Sequence, residues 1–278
     1  MVVKIKTALL VILFGCILPA AEIYGYKCTP TGNVNVTANG RPTYAGQFPH
    51  HALLVVQFGE EETRHCSGAL VDDRHVVTVA QCVQGSSSVV VHLGADCLLE
   101  GDDKFRQVFT ALEYTVHEGL NMETFVNDVA VVRFTDEPVR LPPWVYAARL
   151  PEADEDQYVG QQVLSSGYGL MNYATEGAAD ALQFVRLTVL DLEACQEEFS
   201  FVTAESGTFC AQEADHEPNC VSDVGSPLVL KEGRLQEYVL LGLASFGQKF
   251  ACNQGNPGAL QEMRVHAAWV KEVLSRVN

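Results

Sequence analysis

Short apolar runs closed off by Gly or polar residues recur along most of this 278-residue chain. They cover Ala52 to Phe58, Ala69 to Val71, Val76 to Val79, Val89 to Leu93 and Val129 to Phe134 in the first half. Gln162 to Ser165, Leu182 to Leu190, Pro227 to Leu230 and Tyr238 to Ala244 repeat the habit in the second. Many short strands without interleaved helices predict an all-β barrel or sandwich. Only the end reads as helical: from Val265 to Val277, Trp269, Val270, Val273, Leu274 and Val277 recur at three- and four-residue intervals. A shorter helix is expected over Leu192 to Phe199, with Asp191 as its cap. Pro142-Pro143 and the acidic run Glu152 to Asp156 mark a junction, and the run reads as a solvated loop in preference to a calcium site.

The N-terminus reads as an address. Lys4 and Lys6 precede an apolar run from Ala8 to Leu18 and then Pro19-Ala20-Ala21, the pattern of a secretory signal over residues 1–21. A spanning helix wants about 20 apolar residues, more than this run holds, so a signal is preferred to an anchor and no later segment is expected to cross a membrane. Beyond Cys16 stand eight cysteines: Cys28, Cys66, Cys82, Cys97, Cys195, Cys210, Cys220 and Cys252. An even set in an exported protein reads as up to four disulfides. Metal ligation is the competing reading, disfavoured because no close C-x-x-C or H-x-x-x-H spacing occurs. No metal or other cofactor is expected. The sequon at Asn35 marks a glycosylation position. Lys plus Arg number 18 against 35 Asp plus Glu, a net charge of −17, which argues against nucleic acid and anionic membrane surfaces as partners.

Local patterns then follow in a specific order. Gly46-Gln47-Phe48-Pro49 precedes Cys66-Ser67-Gly68-Ala69-Leu70 and Val77-Thr78-Val79-Ala80-Gln81-Cys82. Asn127-Asp128-Val129-Ala130, Arg149-Leu150-Pro151 and Ser166-Gly167-Tyr168-Gly169 come next. Cys220-Val221-Ser222-Asp223-Val224-Gly225-Ser226-Pro227 and Ala244-Ser245-Phe246-Gly247 close the series. From about Thr37 to Asn278 the chain resembles the trypsin-like serine proteases. The resemblance implies two antiparallel six-stranded β-barrels, about 37–150 and 151–278, a cleft between them and a C-terminal helix, preceded by a short segment over 22–36.

It also locates departures. Where the family carries its catalytic His in T-A-A-H-C, this chain has Gln81. Where the family carries its nucleophilic Ser in G-D-S-G-G-P, this chain has Val224. Only Asp128, in N-D-[IV]-A, matches the triad. A valine has no lone pair to attack a carbonyl, and a carboxamide is no base at neutral pH. In a related triad, losing the Ser or His alone costs on the order of 10⁶ in turnover. Ser222 and Ser226 flank Val224 two residues away, where misplacement of about 1 Å already costs 10². His65, beside Cys66, is read as structural, and the other histidines sit in no recognisable catalytic context. A buried Asp128 would still need donors, and the Gln81 amide is expected to supply one.

The resemblance bears on activation, specificity and crosslinks too. The family's new N-terminus, freed by a cut after a basic residue, pairs with the Asp preceding the nucleophile, here Asp223. The matching position is Thr37, preceded by Val36, so an uncut chain is expected. Pro218 stands where trypsin-like members keep a pocket Asp. The wall segment is Ser245-Phe246-Gly247, which implies a shallow apolar groove around Phe246 instead of a Lys or Arg pocket. The implied disulfides are Cys66–Cys82, Cys195–Cys210 and Cys220–Cys252; Cys28 and Cys97 are left over, and a bond between them would clip the N-terminal segment to the first barrel. The functional expectation is a secreted, monomeric, non-catalytic homologue that binds an extracellular protein, such as an active protease or an inhibitor, in proteolytic cascades of immunity or reproductive fluid. The alternative is a weak endopeptidase using substitute residues.

Overall fold

The computed structural model describes residues 40–98, 106–152, 158–169, 179, 181–213, 223–233, 237–247 and 257–276. Fourteen strands and three helices lie among them. The first sheet holds β2 (His51–Phe58), β3 (Glu62–Leu70), β4 (His75–Thr78), β5 (Ser88–Leu93), β6 (Gln107–Thr110), β7 (Glu113–Val116) and β8 (Ala130–Arg133). Its order is β6-β5-β2-β3-β4-β8-β7, all neighbours antiparallel. The sheet is curled, and its two edges are consecutive pieces of chain. Ala111 N–H donates to Val89 O and Leu112 N–H to Arg133 O, so the strand bends there and changes partner. The seven segments where six strands were expected reflect this bend.

The second sheet closes completely. β9 (Gln162–Gly167), β10 (Gln183–Val189), β11 (Thr208–Glu213), β14 (Gly258–Glu262), β13 (Glu237–Gly247) and β12 (Pro227–Glu232) form a ring in which β9 pairs with both β10 and β12. The short β1 (Arg41–Pro42) joins this sheet by pairing with β10, although in sequence it precedes the first barrel. The strands without a clear apolar run, the start of β3 and all of β1, β6, β7, β11 and β14, are those sequence periodicity missed. The run Glu62-Thr63-Arg64 is polar on a strand whose later residues are buried.

Inward-facing residues alternate with outward ones, as β5 shows with Val89, Val91 and Leu93 buried between half-exposed neighbours. One core, from Leu54 and Val91 to Leu240 and Val270, runs through the first barrel, the barrel–barrel contact and the C-terminal helix α3 (Met263–Ser275). Val163, Leu228 and Leu241 fill the second barrel. Helix α2 (Leu192–Glu198) starts where Asp191 accepts from Ala194 N–H, satisfying an otherwise orphaned donor. Cys66–Cys82 and Cys195–Cys210 are disulfides. Cys97 is disulfide-bonded too. Its expected partner Cys28 lies outside the described residues, as do Cys220, Cys252, Pro218, Ser222, the sequon Asn35, Thr37 and the N-terminal segments. No helix among the described residues is long and apolar enough to cross a membrane.

Candidate active-site cleft

Gln81 lies in α1 (Ala80–Val83), a single buried helical turn that follows β4. The Cys66–Cys82 disulfide ties this turn to β3. Asp128 is fully buried in the connection leading to β8. That connection is bent sharply: Phe125 has φ 54° and Asn127 φ 57°. Asn tolerates the left-handed region, whereas a bulky Phe pays a steric cost there. Surrounding bonds hold the bend: Asn127 Nδ2 donates to Gly119 O at 3.0 Å and Gln261 Nε2 to Phe125 O at 2.9 Å.

The two residues meet. Gln81 Nε2 donates to Asp128 Oδ2 at 2.5 Å, and Gln81 N–H donates to Oδ1 at 2.8 Å. Ser245 Oγ donates to Oδ2 at 2.6 Å. Gln81 Nε2 also donates to the Ser245 carbonyl at 2.9 Å. Behind them, the buried Gln261 accepts from Asp128 N–H at 3.2 Å and lies 3.3 Å from Ser245 Oγ. Burial pushes the Asp128 carboxyl above its ordinary pKa, opposed by the hydrogen bonds from Ser245, Gln81 and Ala80.

A β-bulge aims Ser245. In the β13–β14 ladder Ala244 faces Leu260 and Phe246 faces Ala259, so Ser245 is the extra residue between them. An extra residue breaks the strict alternation of side chains, which lets Ser245 reach Asp128. Sequence reading placed Ser245 on a pocket wall. Its role as a donor to Asp128, and the part played by Gln261, had no local signal.

Val224 sits in the turn before β12, partly buried against the main core. Its carbonyl accepts from Ser67 N–H at 2.9 Å. The turn needs Gly225, which has φ +85°; a Cβ there would stand 2.1 Å from Ser67 O. His65 lies on β3 opposite Val55.

Phe246 is surrounded by other aromatic rings. Phe246 stacks on Phe125 at 5.4 Å between centroids and on Phe201 at 5.6 Å, with the edge of Phe199 at 5.4 Å. Three aromatic side chains therefore occupy the space beside the Ser245-Phe246-Gly247 wall. They come from two loops: Phe125 lies in the connection before β8, and Phe199 and Phe201 lie together in the one after α2.

A curled sheet and a closed barrel that share one core, with a buried Asp presented from the first and a bulged Ser from the second, make the architecture of chymotrypsin-like proteins. The family model described as Trypsin matches residues 37–270, and the chain belongs to that family. Among its relatives, the collagenase of Hypoderma lineatum is 28% identical over 236 residues, spanning 84% of this chain and 85% of that protein. Kallikrein-7 of Homo sapiens is 29% identical over 240 residues, 86% of this chain and 87% of that protein. The solved structure titled HL collagenase matches with a TM-score of 0.72 at 26% identity, covering 86% of this chain and 98% of that one.

Proposed function

We propose that this chain is a secreted, non-catalytic member of the trypsin family that acts by binding an extracellular protein. The observation that carries the reading is the pairing of Gln81 with Asp128. Gln81 gives the buried carboxylate one hydrogen bond from its carboxamide and one from its backbone N–H, yet the carboxamide has no nitrogen able to take a proton from a nucleophile at neutral pH. Val224, at the position the resemblance gives to the nucleophile, offers no hydroxyl. The aromatic stack on Phe246 fills space beside the cleft wall, which supports recognition by the outer surface of the loops instead of threading of a peptide. The rigid barrels hold those loops in place.

A serine-directed fluorophosphonate probe tests the absence of catalysis directly. The folded protein is expected to remain unlabelled and to leave a broad peptide library intact. Labelling, or cleavage that tracks the protein through purification, overturns the reading in favour of an endopeptidase. Affinity capture from the native extracellular fluid, with mass spectrometry of retained proteins, then names the class of partner.

A further inference from the structure

The Asp223 carboxylate is fully buried, and a charge so placed must be met by donors. Ser67 Oγ donates to its Oδ2 at 2.7 Å, and Tyr168 N–H lies 3.1 and 3.0 Å from its two oxygens. The Asp223 N–H donates to Ser226 Oγ at 2.8 Å, closing the turn on itself. Ser67 belongs to β3 of the first barrel, whereas the 223–226 turn leads into β12 of the second.

The same serine meets this turn at two further points. Its N–H donates to Val224 O at 2.9 Å. Its carbonyl, which accepts from Thr78 Oγ1 at 2.7 Å, lies where a Cβ on Gly225 would fall. Behind it stands the buried His51, with Nε2 3.3 Å from Ser67 Oγ and Nδ1 3.0 Å from Ser166 Oγ. Proton inventory orders this chain. Ser67 gives its one hydroxyl proton to the carboxylate, so its oxygen accepts from His51 Nε2–H. The neutral ring then accepts at Nδ1 from Ser166. Burial keeps the imidazole neutral by lowering its pKa to about 3.

We infer that Ser67, backed by His51, is an internal clasp that holds the 223–226 turn ordered in the uncut chain, so that this face of the cleft is formed without proteolytic activation. The inference rests on the binding-protein reading above and adds its regulation: the partner surface around this turn is constitutive. Ser67 acts as a positioning residue through Asp223.

Hydrogen exchange on the full uncut protein tests it. The amides of Tyr168, Gly225 and Ser226 are expected to exchange slowly in the wild type. Ser67→Ala is expected to speed them roughly tenfold or more, with Leu54 and Val91 in the first barrel unchanged. Ser67→Thr keeps the hydroxyl and is expected to restore protection. Fast exchange at these amides in the uncut wild type, or no change in Ser67→Ala, overturns the inference. Should the alanine variant fail to fold, valyl-valine added to the wild type replaces it as the test. This dipeptide offers a free α-amino group, and increased protection of the turn would mean that the clasp is incomplete without a new N-terminus. These readouts do not depend on probe labelling or on finding a partner, so failure here is distinct from failure of the proposed function.

Discussion

Gln81 meets both oxygens of Asp128, one with its side-chain amide and the other with its backbone N–H. The backbone bond survives any substitution that keeps the helical turn, but the side-chain bond does not. Gln81→Ala therefore leaves a buried carboxylate short of one donor, at a cost of about 1–3 kcal/mol. At this chain length that corresponds to a fall in Tm of roughly 3–10 °C, readable by calorimetry.

The relation between Gln81 and Asp128 also yields a test of the proposed lack of catalysis. Asp128 keeps its Ser245 donor, so an imidazole at 81 would find an orienting carboxylate ready-made. Gln81→His combined with Val224→Ser is expected to acquire slow fluorophosphonate labelling, while each single variant stays unlabelled, because attack and proton transfer act as a unit. Labelling of the Val224→Ser variant alone would show that another base reaches the site.

Phe246 is the centre of a four-ring contact, with Phe125 and Phe201 on its faces. Phe246→Ala removes all three ring contacts at once. A loss of about 2 kcal/mol is expected, below the figure for a fully buried Phe because the cluster is partly open to water. Thermal unfolding measures the loss, and binding of a hydrophobic dye to the variant alone would report the opened groove.

Gly225 has backbone and space for no other residue. Gly225→Ala would place a methyl 2.1 Å from Ser67 O in a left-handed conformation. The turn must move, so destabilisation above about 3 kcal/mol and a sharp drop in the yield of folded protein are expected. A normal Tm for this variant would show that the turn is not packed on β3.

Asp72 supplies a pH test. Burial raises its pKa, but this is outweighed by hydrogen bonds from the His75 ring and from the Arg74 and His75 N–H groups, which leave it below the usual 3.8. A carboxyl depressed on folding contributes stability above its unfolded pKa and loses it as pH falls through the folded value. Asp72→Asn is thus expected to cost about 1 kcal/mol at pH 7. The difference from wild type should shrink below pH 3.8, as followed by denaturant titration at several pH values.

The amino-acid sequence by itself determined the all-β class, the terminal helix and the identity of the residues at the key positions. Apolar alternation and ordered local motifs are short-range signals, and they read out strands such as β2 and β5 directly. The glutamine at 81 and the valine at 224 are facts of chemistry before any folding. What only the tertiary structure decided lies in contacts between distant segments. The bend at Ala111 and Leu112 makes one strand serve two neighbours, and no periodicity marks it. The bulge at Ser245 turns a wall residue into a donor for Asp128, 117 positions away. Phe125, Phe199, Phe201 and Phe246 come from two loops and a strand, and Ser67 reaches Asp223 across 156 positions. Such pairings depend on how two barrels close and dock. Each local segment is compatible with many partners until long-range packing selects one.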